Sequence, residues 1–169
     1  MTEKVYCVYD YWDMTIIEGI AEYNNGKYYF KCISSIEDGN NYGWTDMYEL
    51  TLLDDYIFKL SLENWEYWKM WLKNPVVPHP IEYAKSRKIR TLEEIFTKDN
   101  VEKELIEQTE KHYQNELLIE EYLKSTSPTF KAKGIFSGQI NGMDTNVEWD
   151  NAVASTGSAF EGDLWTCRR

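Results

Sequence analysis

The sequence predicts an α+β domain: an antiparallel sheet of about four to six strands with two main helices packed on one face. Three observations lead there. Four strand-like segments precede any helical pattern, two long stretches then carry apolar residues at helical spacing, and strand character returns late in the chain around an Asn-Gly turn. With 169 residues, 43% of them hydrophobic and 28% charged, the chain is long enough for one domain with a core. Residues 1–150 are read as that domain, and residues 151–169, small and polar with few apolar anchors, as a loosely attached C-terminal tail.

The first strand is expected over residues 4–9, where β-branched and aromatic types dominate. Residues 15–23 and 27–33 flank Asn24-Asn25-Gly26, and an Asn-Gly pair accepts the positive φ angles of a type I′ turn, so these two segments form a hairpin. The polar stretch 37–43 is a loop, and a fourth strand follows over 46–52. Asp54-Asp55 then offers capping chemistry and first-turn negative charge, with Phe58, Leu62, Trp65, Trp68 and Leu72 at steps of three and four, which predicts a helix ended by Asn74-Pro75. Residues 75–98 begin with three prolines in Pro75-Val76-Val77-Pro78-His79-Pro80 and run into the only basic stretch, Lys85 to Arg90; they are read as an extended Pro-rich and basic connector. A second helix is expected from Asp99 to Lys124, its stripe formed by Val101, Leu105, His112, Ile119 and Leu123 and its other faces rich in glutamate. Strands return over 129–136 and 146–149, around Asn141-Gly142.

The net charge of −11 repels phosphate backbones and anionic lipid, so nucleic acid and membrane are not expected as partners, whereas a basic protein is. No run of apolar residues is long enough to span a bilayer, and the N-terminus lacks the regions of a secretory signal, which favours a cytoplasmic location. Three cysteines without CxxC spacing fit a reducing compartment and give no metal site. No Gly-rich nucleotide loop is present, so no cofactor is expected. The 13 tyrosines and seven tryptophans exceed what a core of this size needs, and belong at a core boundary or on a recognition surface.

Two carboxylates flank aromatic rings in Tyr9-Asp10-Tyr11-Trp12-Asp13, with Glu18 downstream. Asp10, Tyr11, Trp12, Asp13 and Glu18 are therefore the candidate binding residues, joined by Trp44 and by Trp71, which turns away from the Trp65 and Trp68 face of its helix. The bland alternative is that Asp10 and Asp13 form a strand-end turn lidded by the rings. His112 and Glu116 form an i,i+4 pair, but two ligands do not make a metal site, and His112 is expected as a satisfied, partly buried histidine. No catalytic residue is assigned.

Tyr9-Asp10-Tyr11-Trp12-Asp13, Gly19-x-Ala21, Gly26-x-x-Tyr29-Phe30, Asp46-x-Tyr48-x-Leu50-Thr51 and Trp65-x-x-Trp68 together resemble an uncharacterised bacterial protein family with a Tyr-Asp-Tyr-aromatic-Asp opening and a Trp-x-x-Trp helix. The resemblance covers roughly residues 4 to 72 and implies no activity. The functional expectation is a non-catalytic, acidic protein-binding domain, of the kind represented by immunity or antitoxin proteins that lay carboxylates and aromatics over a basic partner. The alternative is a small-ligand or carbohydrate-acting protein using Asp10, Asp13 and Glu18 with Trp12, which requires those carboxyl groups to converge on a concave pocket.

Overall fold

The computed structural model describes residues 1–12, 15–38, 43–73, 80–96, 102–138 and 144–154. Strands β1 (Thr2–Trp12), β2 (Thr15–Tyr23), β3 (Gly26–Asp38) and β4 (Gly43–Leu52) come first. Helices α1 (Asp55–Lys73), α2 (Pro80–Arg87), α3 (Leu92–Phe96) and α4 (Lys103–Ser125) follow, and β5 (Phe130–Ser137) and β6 (Asn146–Ala154) complete the order. The chain divides into two compact units, one built from the strands and the other being Asp55–Ser125.

All six strands are joined antiparallel in sequence order, and β1 pairs with β6 through Thr2↔Glu148, Glu3↔Val147 and Lys4↔Asn146, so the sheet closes into a barrel. This overturns the expected sheet with two main helices on one face: the sheet is closed on itself, and the described residues form four helices. The closing ladder joins the two ends of the strand order, which no local pattern encodes. Local irregularities provide the necessary bending. Register shifts fall at Val5/Cys7, Val8/Asp10 and Asp10/Tyr11 in β1, at Cys32/Ser34 in β3 and at Lys131/Lys133 in β5, and each such bulge adds twist.

The β2–β3 hairpin forms as expected, one residue earlier than the Asn-Gly pair indicates. Asn24 and Asn25, with φ of 47° and 66°, are its two central residues, and Tyr23 pairs with Gly26. Asparagine tolerates the left-handed region well enough to take both positions.

Strand alternation sends Val8, Ile17, Ala21, Phe30, Tyr48, Leu50, Ala132 and Val147 into the barrel core. Much of the aromatic surplus goes there too. Phe30, Tyr48, Phe136 and Trp149 stand with ring centroids 5.3 to 5.8 Å apart, mostly edge to face. Their polar tips are satisfied: the Tyr48 hydroxyl donates to the Ile16 carbonyl at 2.6 Å and Trp149 Nε1 donates to the Glu22 carbonyl at 2.9 Å. Two glycines make room. A Cβ on Gly134 would lie 2.8 Å from both the Trp149 and Tyr48 rings, and one on Gly19 would lie 2.1 Å from the Cys7 carbonyl oxygen.

In the helical unit, residues 75–98 are not one extended connector, since Pro80–Arg87 and Leu92–Phe96 are helical. Pro80 begins α2, where its missing N–H costs nothing. Thr91 and Glu94 form a reciprocal capping box at α3, Glu94 N donating to Thr91 Oγ1 and Thr91 N to Glu94 Oε2. Tyr83, Phe96 and Tyr113 form a small core joining α2, α3 and α4. Beside it Glu110 accepts from the Tyr83 hydroxyl at 2.6 Å and from Arg87 Nε at 3.1 Å. Strand β6 runs through residue 151 to Ala154, so the expected start of the tail lies inside a strand; residues 155–169 lie outside the described residues.

Candidate functional site

Alternation of strand direction places the ends of β1, β3 and β5 and the starts of β2, β4 and β6 at one end of the barrel and the β2–β3 turn at the other. Asp10, Tyr11, Trp12, Glu18 and Trp44 all sit in strand segments toward the first end. Asp13 lies outside the described residues, as do the side chains of Trp12 and Trp44.

Asp10 and Glu18 are direct cross-strand neighbours. Ile17 and Ala21 face the core, so Glu18 projects from the other side of the wall, where the Tyr29 hydroxyl donates to its Oε1 and Lys31 is its partner on β3. Like charges directly opposite one another destabilise a ladder, and Lys31, opposite Glu18 on β3, offsets the Asp10–Glu18 repulsion. Tyr11 is 59% exposed, a large amphipathic side chain left in water beside these acids. The same end carries Asp46, which sequence reasoning did not single out. Ser35 Oγ donates to Asp46 Oδ1, and burial raises the Asp46 carboxyl above the usual range despite that bond. Its charge also adds to the burial that lifts the Tyr48 hydroxyl far above its ordinary value. The sequence signal for Asp46 was its position at the start of the β4 alternation, which marks a strand end and says nothing of burial.

Trp71 is in the other unit, half-buried on α1. That unit has its own concave feature, a groove of about 340 Å³ along the α1–α4 seam, lined in part by Glu63, Tyr67, Gln108, Lys111, His112 and Asn115. His112 is 5% exposed and stacks on Tyr67 at 4.4 Å between centroids. Its Nε2 has no hydrogen-bond partner and lies 4.0 Å from Glu116 Oε1. Burial lowers its pKa to about 4, so the ring is neutral near pH 7 and lacks an imidazolium's charge. Asn64 Nδ2 donates to Glu116 Oε1 at 2.8 Å and Asn115 Nδ2 to Asn64 Oδ1 at 3.2 Å, giving the seam a polar interior. Among the described residues no group of three His, Cys, Asp or Glu side chains is placed to hold a metal ion, and no helix is long and apolar enough to cross a membrane.

Fold and site together define a closed six-stranded antiparallel barrel with a helical insertion between its fourth and fifth strands and an acidic, aromatic end. No protein-family model, curated protein or solved structure matches the chain.

Proposed function

We propose that the protein is a non-catalytic binding domain whose acidic barrel end covers a basic protein partner, in the manner of an immunity or antitoxin protein. One observation carries the reading: the cross-strand partners Asp10 and Glu18 stand with the exposed Tyr11 toward a single end of the barrel. A cationic surface relieves the Asp10–Glu18 repulsion on docking, and a tyrosine supplies contact area at low entropic cost. The net charge of −11 speeds encounter with such a partner and disfavours nucleic acid or anionic lipid.

The test is affinity capture with the whole protein at low and high salt, comparing it with an Asp10→Lys/Tyr11→Ala variant and with Glu120→Lys on the exposed face of α4 as control. The expected result is a discrete basic protein held at low salt by the parent and the control, released by salt, and lost with the double variant. Retention of the same protein by the double variant, or no partner at either salt, overturns the reading.

A further inference from the structure

The β2–β3 ladder runs from Tyr23↔Gly26 to Glu18↔Lys31 and stops, although β2 reaches back to Thr15 and β3 continues to Asp38. The β4–β5 ladder likewise stops at Met47↔Lys133, although β4 begins at Gly43 and β5 continues to Ser137. Beyond those points β3 and β4 pair with each other through Ser34↔Met47, Ser35↔Asp46, Ile36↔Thr45, Glu37↔Trp44 and Asp38↔Gly43. Among the described residues, Ile33–Asp38 and Gly43–Asp46 have no other strand partner. They form a two-stranded ribbon whose outer edges are unpaired among the described residues, set off from the wall by the register shift at Cys32/Ser34. At its base the Ser34 side chain is 1% exposed and its hydroxyl has no hydrogen-bond partner.

A bare edge presents alternating N–H and C=O groups and is a template for another strand, so proteins that leave one open usually blunt it with lysine or proline. This ribbon carries neither. Between Ile33 and Asp46 the sequence holds Glu37, Asp38 and Asp46 and no basic residue. We infer that the ribbon is a strand-addition site, with an extended segment bearing alternating Lys or Arg residues laid along the β3 edge, Ile33–Asp38. That edge is the longer of the two, main-chain bonds along it supply affinity, and the acids select the partner. A second copy of the chain brings the same acidic ribbon and is repelled by it.

The inference rests on the basic-partner reading, so the probes separate register from charge. They are an acetylated, amidated peptide alternating five Lys with five Thr, a block isomer with the five Lys first, and the alternating peptide N-methylated at every second backbone nitrogen. The alternating peptide is expected to bind at least about tenfold tighter than either of the others and to slow amide exchange within Ile33–Asp38. Adjacent residues of β3 direct their N–H groups to opposite sides, so of Ser35→Pro and Ile36→Pro one removes only an edge donor. That variant keeps the parent's melting temperature and loses the preference for the alternating peptide. Equal affinity for the alternating and block peptides overturns strand addition while leaving a charge-selected basic partner in place. No binding of either peptide at low salt, or concentration-dependent dimerisation abolished by the edge proline, also overturns it, the latter by assigning the edge to a second copy.

Discussion

Stacked on Tyr67 with Nε2 shielded and unpaired, His112 resists protonation in the folded chain down to about pH 4, whereas the unfolded ring takes up its proton near 6.5. Between those values the unfolded state binds more protons, so stability falls as pH drops from about 6.5 to about 4, by about 3 kcal/mol in all, and this group adds no slope above that window. His112→Leu is expected to melt at or slightly above the parent near neutral pH and to lack this share of the acid sensitivity; parallel pH series of denaturant melts read the difference. A loss of several kcal/mol at pH 7 would instead show that the ring serves a polar network. The burial of His112 was legible from the stripe it shares with Ile119, but its stacking on Tyr67 was not, because that contact joins two helices. Gly19 is the sharper constraint. The side chain of Gly19→Ala would run into the Cys7 carbonyl, a backbone atom that cannot step aside, and about 3 kcal/mol or more of stability should go with it in urea melts.

Helix α1 shows what periodicity can and cannot report. The apolar spacing predicts Phe58, Leu62, Trp65, Trp68 and Leu72 as the buried stripe, and the helix occupies the expected residues. The face that is buried is Ile57, Leu60, Ser61, Asn64, Trp65 and Tyr67, with Phe58, Leu62 and Trp68 half-covered. A hydrophobicity count scores serine and asparagine as solvent-facing, so a helix that buries amides against a neighbour is read about one residue out of phase. The buried amides hold the seam with α4: Asn64 donates to the His112 carbonyl and to Glu116, and accepts from Asn115. Asn64→Ala strips donors from both acceptors and leaves the Asn115 amide only its 3.4 Å bond to Glu63 Oε2, and about 2 kcal/mol of stability is expected to be lost. A double-mutant cycle with Asn115→Ala should return a coupling of about 1 kcal/mol; strict additivity would show that the two amides act independently.

Six segments of strand character were readable from alternation and turn residues, and all six are strands. Their closure was not readable, since pairing Thr2 with Glu148 is a property of the whole chain. The acidic end was half legible: the composition of residues 9–18 drew attention, yet the placement of Asp46 toward the same end depends on strand order. Closure also carries a kinetic signature. A ladder between the chain's distant segments forms late, after local hairpins, because its loop entropy must be met first. Val147 is fully buried on β6 in that ladder, so Val147→Ala should cost about 2 kcal/mol and appear mainly as faster unfolding in stopped-flow chevrons. A matching slowdown of refolding would place β6 in the nucleus instead.

Between Leu52 and Phe130 the polypeptide leaves the barrel, forms four helices and comes back to the strand beside the one it left: Leu50 and Phe130 are register partners, and Thr129 N donates to the Leu50 carbonyl at 2.7 Å. Topologically the helices are therefore the contents of a hairpin loop. Closure entropy rises by only about 0.6 kcal/mol for each doubling of loop length, so the barrel hardly registers how much chain hangs there. The consequence is interchangeability. The β4–β5 corner is a socket, able in principle to hold a tight turn, these helices or a foreign domain whose ends lie close together, and it is the natural place for a lineage, or an engineer, to change what this barrel carries without rewriting the barrel itself.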